Sequence, residues 1–217
     1  MQKVNLNNIN QIKSQLYVVL MGILFFRLGS YIPVPGLDPN KLSQLLNINN
    51  SIFGLFNMFS GGALSRLSIF FLGIMPYISA SIIIQVLTPS TPSLNQLKKE
   101  GVRGKTKLNR ITKYLTLFIA LIQSYGFSQT LIDSNVSYLN SSFFTFSTMV
   151  TLVTGTMLLM WLGEKITDFG IGNGISLIIF SGIVAGLPNA FISTIDQVRN
   201  NQINILYLFL FFIIIIF

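Results

Sequence analysis

Catalysis, proton coupling and metal binding need ionisable or ligating side chains, and this sequence places almost none of them inside its apolar runs. Arg27 is the one charge set well inside such a run. It reads as a cation that snorkels or bonds neighbouring helix carbonyls. Glu164, Lys165 and Asp168 follow Trp161 at the end of another run, which suits a membrane–water boundary. Histidine and cysteine are absent from all 217 residues, so the commonest general base, the thiol nucleophile and disulfides are missing. No paired carboxylates, metal-ligand cluster or nucleophile–base arrangement is visible. We therefore assign no catalytic, cofactor or metal residue. The pattern argues against an enzyme and, less strongly, against a proton-coupled transporter.

What the sequence offers instead is apolar geometry. Ile74 and Ile78 are four residues apart, as are Ile175 and Ile179, so each pair projects from one face of its helix. Isoleucines in membrane helices usually face lipid or core. Here the first pair flanks Pro76, and the second follows the flexible turn Gly170-Ile171-Gly172-Asn173-Gly174. A ring of branched apolar side chains can form a constriction that stays dry until something displaces it.

The elements that would position these residues are membrane spans. Charged residues make up only 9% of the chain, against about 25% in an ordinary soluble domain. Mean hydropathy is +0.66. Apolar runs at 16–32, 67–88, 114–131, 143–162 and 174–192 are long enough to span. A sixth opens near Ile205 and is still apolar at Phe217, so the chain is expected to stop inside a helix and to be a fragment. The N-terminus lacks a small-residue cleavage site, so no cleaved signal is expected. The second run differs from the others. In NMFSGGALSRLSIFFLGIMPYISASIIIQVLT, beginning at Asn57, glycines, serines and Pro76 interrupt the helical pattern. Non-helical backbone at membrane depth survives only when packed in protein or lining a cavity. A broken helix beside an aqueous path is the expectation. Gly182 and Gly186 would let another helix approach closely, and Ser79 and Ser81 add small, weakly polar surface.

Lys and Arg retained on the cytoplasmic side fix orientation. With the N-terminus inside, the inner segments hold Lys3, Lys13, Lys98, Lys99, Arg103, Lys105, Lys107, Arg110, Lys113 and Lys165, whereas the outer ones hold only Lys41 and Arg199. The loop 98–113 is therefore a topology determinant, and its cations could also dock a ribosome or a motor protein. The aromatic platforms of a single-strand nucleic-acid binder are missing between these charges. Heavy use of Asn, Ile, Lys and Phe suggests AT-biased coding of the kind found in algal plastids. That favours a thylakoid membrane, with the plasma membrane of an AT-rich bacterium as the alternative.

Long ordered segments closely resemble the SecY family of protein-conducting channels: FRLGSYIPVPGLD, the segment from Asn57, KKEGVRGKTKLNRITKY and TLVTGTMLLMWLGEKITDFGIGNGISLIIFSGIVAGLP. The resemblance covers essentially the whole chain. It implies an all-α, polytopic membrane bundle: residues 1–15 as a cytoplasmic (or stromal) terminus, 16–192 as the first half with five helices, and 193–217 as an outer loop with the start of helix six. It further implies that Ile74, Ile78, Ile175 and Ile179 belong to a pore ring. Residues 53–66, with Phe53, Phe56, Met58, Phe59, Gly61, Gly62, Leu64 and Arg66, would be the plug. The second and third spans would form one wall of a lateral gate. The implied function is passage of unfolded polypeptides across the membrane and release of hydrophobic segments into lipid. Implied partners are a SecE-type subunit, the SecA ATPase or a ribosome, precursors with signal sequences, membrane lipid and a SecG-type subunit. Two other classes compete on the residues alone: a secondary transporter with a broken-helix solute site, and an insertion chaperone without a pore.

Overall fold

The computed structural model describes residues 6–37, 62, 63, 66–134, 137 and 140–200. The expected plug residues Phe53, Phe56, Met58, Phe59, Gly61 and Leu64, and the sixth span, lie outside the described residues. Among the described residues six helices follow one another: α1 Leu6–Gly29, α2 Met75–Ser90, α3 Pro92–Lys99, α4 Val102–Asp133, α5 Ser141–Phe169 and α6 Gly174–Arg199. Among the described residues there are no strands, only isolated bridges at Pro33–Ser68 and Leu37–Ser137. Gln11–Gly29, Val102–Asp133 and Ser141–Phe169 are long and apolar enough to cross a membrane, and Gly174–Pro188 is a shorter apolar helix. The chain is an all-helical membrane bundle.

The helix ends have local causes. α1 starts ten residues before the apolar run and stops ahead of Pro33, whose ring disfavours helix in the residue before it. The last turn tightens as Tyr31 N–H donates to Leu28 O and Ile32 N–H to Gly29 O, both at 3.2 Å. The run 67–88 is broken, as expected, but not at Pro76. Proline lies in the first turn of α2, where its missing N–H costs no bond. The break is the stretch 66–74 before it, which turns through Gly73 at φ +56°. α2 has 16 residues, or about 24 Å, less than the ~30 Å hydrocarbon core. The non-helical stretch 66–74 precedes it directly.

The expected basic loop is a helical corner instead. Lys98 and Lys99 form the last turn of α3, the chain bends at Gly101 with φ +68°, and the remaining cations ride on α4. α4 therefore starts twelve residues before the expected span at 114. Buried Thr112, Thr116, Ala120, Ser124 and Ser128 repeat every four residues along α4, which packs against α2 and α5. Their hydroxyls donate to the preceding turn, as Thr116 Oγ1 does to Thr112 O at 2.7 Å, so the stripe is small and internally satisfied.

Phe144, fully buried, packs with Val34, Leu67, Phe71, Leu72, Leu131 and Leu152, joining the break to α4 and α5. Lipid is as apolar as the core, so the cost of a void here is lost packing rather than transfer from water. Phe144→Ala in the complete protein should lower stability by about 3 kcal/mol, the low end for this substitution in cores. Thermal melting in detergent would measure it. An unchanged melting temperature would show that this contact does not hold the break in place.

Candidate functional site

The isoleucine pairs come together. Ile74 is buried, at 6% exposure, in a cluster with Val19, Phe26, Ala63, Phe70, Leu159, Leu162, Ile166 and Ile178. Ile78, Ile175 and Ile179 are half-buried against the same cluster. Side chains from α2 and α6, more than ninety positions apart in sequence, thus share one apolar site beside α1 and α5. Their carriers are braced. Ile74 caps the start of α2, with Tyr77 N–H and Ile78 N–H donating to its carbonyl at 3.0 and 3.1 Å. Ile175 lies in the first turn of α6, where the Asn173 side chain accepts from Ile175 N–H at 3.0 Å and Ser176 N–H at 3.2 Å. Thr167 Oγ1 accepts from Gly174 N–H at 2.8 Å, tying the turn back to α5.

Of the expected plug, Gly62, Ala63 and Arg66 are described. Ala63 is fully buried in the isoleucine cluster, so the chain just before the break touches the candidate constriction. Arg66 is exposed and lies over the Tyr31 ring at 4.1 Å from its centroid, at the end of α1.

Close approaches at glycines escape sequence reasoning, and two of them bring backbone against α5 or α6. A Cβ at Gly155 would overlap the Ile69 carbonyl oxygen, and a Cβ at Gly174 would overlap the Gly163 carbonyl oxygen. The expected contact at Gly182 and Gly186 differs. Gly182 is buried, but nothing lies within 4 Å of a Cβ built on Gly186. Ile178, 2% exposed, was also missed, although it stands three after Ile175 on the same helix face. Ser81 is partnered locally, its hydroxyl accepting from Gln85 Nε2 at 2.9 Å.

Lys98, Lys99, Arg103, Lys105, Lys107 and Arg110 are all exposed at the α3–α4 corner. Arg103 and Lys105 sit in the opening turns of α4, where a helix N-terminus disfavours cations. They are not there to stabilise the helix. Lys107 pairs with Glu100 at 3.4 Å, and Lys113 with Glu164 on α5 at 2.7 Å. A cavity of about 780 Å³ opens beside this corner, lined by Ser81, Gln85, Thr88, Lys98, Lys105 and Asn109 among others. Among the described residues no cluster of acidic side chains could hold a metal ion.

A family model described as SecY matches residues 68–217. The protein translocase subunit SecY of Buchnera aphidicola subsp. Schizaphis graminum (strain Sg) is 53% identical over 215 residues, covering 96% of this chain and 48% of that relative. The same subunit of Escherichia coli (strain K12) is 52% identical over 207 residues, covering 93% and 47%. The chain spans about half the length of these curated relatives. Both are bacterial, and neither supports the thylakoid expectation drawn from composition. Two solved structures share the fold at 18% identity and TM-score 0.56, each covering 79% of this chain and 36% of the other. They are described as Sec61 in the canine ribosome-channel complex from the endoplasmic reticulum and as the structure of a protein conducting channel.

The Lys113–Glu164 pair ties α4 to α5, with side chains 39% and 30% exposed. Solvent screening at that exposure limits it, and a double-mutant cycle of Lys113→Gln and Glu164→Gln should give a coupling of about 0.5–1 kcal/mol in detergent melts. Strict additivity of the two single substitutions would mean the pair contributes nothing.

Proposed function

The chain belongs to the SecY family, and from that premise we propose that it forms the first half of a protein-conducting channel. The observation that carries the reading is the shared apolar site of Ile74, Ile78, Ile175 and Ile179, with Ala63 packed into it. Branched apolar side chains converging from separate helices exclude water and ions because nothing in the ring can replace a hydration shell. A translocating polypeptide would displace the chain around 53–66 that serves as the plug. The ring would then close loosely on the passing backbone, limiting leak without reading sequence. Hydrophobic signal segments would leave sideways between α2 and α4 and the opposite wall, because they partition into lipid.

No bond is made or broken by this chain in that scheme. Energy comes from a partner such as the SecA ATPase or a translating ribosome, and a SecE-type subunit would clamp the halves, with a SecG-type subunit beside them. The cations at the α3–α4 corner support an inner-side position for it, with the N-terminus inside. The bacterial relatives favour the plasma membrane of a bacterium over a thylakoid. Residues 1–15 form the inner terminus, 16–192 the first half, and 193–217 an outer loop with the start of helix six. A solute transporter would need a polar site at the break, and Phe70, Phe71 and Leu72 pack that stretch with apolar side chains.

In the complete channel, Ile78→Asn and Ile175→Asn should each raise resting ion leak in planar bilayers, since an amide offers water a foothold in the ring. Conductance equal to that of the unmodified channel would remove the ring assignment.

A further inference from the structure

A non-helical stretch in a membrane protein needs fixing, and residues 66–74 are held on two sides. Toward α1, Val34 N–H donates to Leu67 O at 2.8 Å and Ile69 N–H to Ile32 O at 2.9 Å, around the Pro33–Ser68 bridge. The Phe70 ring stacks on Phe26, 6.0 Å between centroids and 19° between planes. It also covers Gly29, where a Cβ would overlap the ring. Toward α5, the Ile69 carbonyl sits against Gly155, with Phe70 Cδ1 3.5 Å from where a Cβ would stand. Neither Gly29 nor Gly155 has a positive φ. Space, not backbone conformation, demands glycine at both. A glycine inside a helix costs about 1 kcal/mol relative to alanine, and these two return nothing within their own helices.

We propose that Gly155 and Gly29 are positioning residues of the constriction. They admit the Ile69 carbonyl and the Phe70 ring, so that 66–74 seats as a fixed post between α1 and α5. The post holds Ile74 in the apolar cluster at its α2 end, and Ala63 of the displaceable segment packs into the same cluster at rest. It stays in place while the channel works. The inference rests on the constriction reading above.

The first test is Gly155→Ala in the complete channel, with Gly126→Ala as control because nothing lies within 4 Å of a Cβ there. Assembly is followed by co-purification of the partner subunit. Resting conductance is followed in planar bilayers beside Ile78→Asn. The expected result is an assembled Gly155→Ala channel that leaks to a level comparable with Ile78→Asn, while Gly126→Ala stays tight. An assembled, tight Gly155→Ala channel beside a leaking Ile78→Asn one overturns the proposal and leaves the constriction reading standing. If neither leaks, the constriction reading fails and the proposal with it.

The second test does not depend on how Gly155→Ala assembles. The two hydrogen bonds flanking Pro33 and Ser68 make them a non-hydrogen-bonded antiparallel pair, whose Cα atoms stand about 4.5 Å apart. That separation suits a disulfide. These 217 residues hold no cysteine, so Pro33→Cys with Ser68→Cys, in a complete channel whose remaining cysteines are replaced, gives one engineered lock. The oxidised channel should transport a precursor as fast as the reduced one. Transport blocked by oxidation and restored by reductant would show that the post moves, and would overturn the proposal whatever Gly155→Ala does.

Discussion

Everything in this bundle answers to one requirement: a peptide group in hydrocarbon must find its hydrogen-bond partner inside the protein. Among the described residues, the other apolar stretches satisfy it by winding into helix. The stretch 66–74 does not, and the surrounding structure is arranged around that exception. Its N–H groups at Ser68, Ile69, Phe71 and Gly73 donate to Ala63, Ile32, Ser68 and Phe70 carbonyls at 2.8–3.0 Å, and Phe70 N–H finds the Ser68 hydroxyl at 3.2 Å. Aromatic side chains then bury it: Phe70 against Phe26, and Phe71 edge-on to Phe127 at 4.4 Å. Only with that bonding in place can α2 be short enough to begin at the isoleucines.

The short α2 has a mechanical meaning. Ile74 and Ile78 sit at the start of a helix rather than midway along one, and the same holds for Ile175 and Ile179 in α6. Side chains on first turns can converge without the bulk of further helix above them. Small residues elsewhere supply the complementary feature: the stripe on α4 brings α2, α4 and α5 close together, and glycines on α5 admit backbone from its neighbours. The convergence of the isoleucines and the tight packing around them thus come from different residues.

Much of this was legible in the sequence, for physical reasons that also mark where legibility stopped. Span number and the broken second run follow from hydropathy and from glycine, serine and proline, because lipid enforces composition strictly. The place of the break did not follow, because proline in a first turn and proline in a helix interior look alike without knowing where the helix begins; Gly73 and Pro76 are three residues apart. Low apolar content makes the α3–α4 corner look like loop, whereas Val102 onward is continuous helix through the apolar run. Gly155 was silent because its partner is a carbonyl more than eighty positions away, and a backbone atom leaves no signature in composition. The isoleucine pairs were visible as helix-face spacing, but their convergence became an expectation only through resemblance to the family.

The cap on α6 carries one more consequence. Asn173 precedes Gly174, and asparagine–glycine bonds are the ones that age fastest, when the glycine amide nitrogen attacks the asparagine side-chain carbon to close a succinimide. Here that amide is engaged by Thr167 Oγ1, and the Asn173 carboxamide oxygen is held by two amides further along the helix. Both reacting groups are pinned in a geometry chosen for another purpose. The bonds that start the helix therefore also hinder ring closure at the Asn173–Gly174 bond.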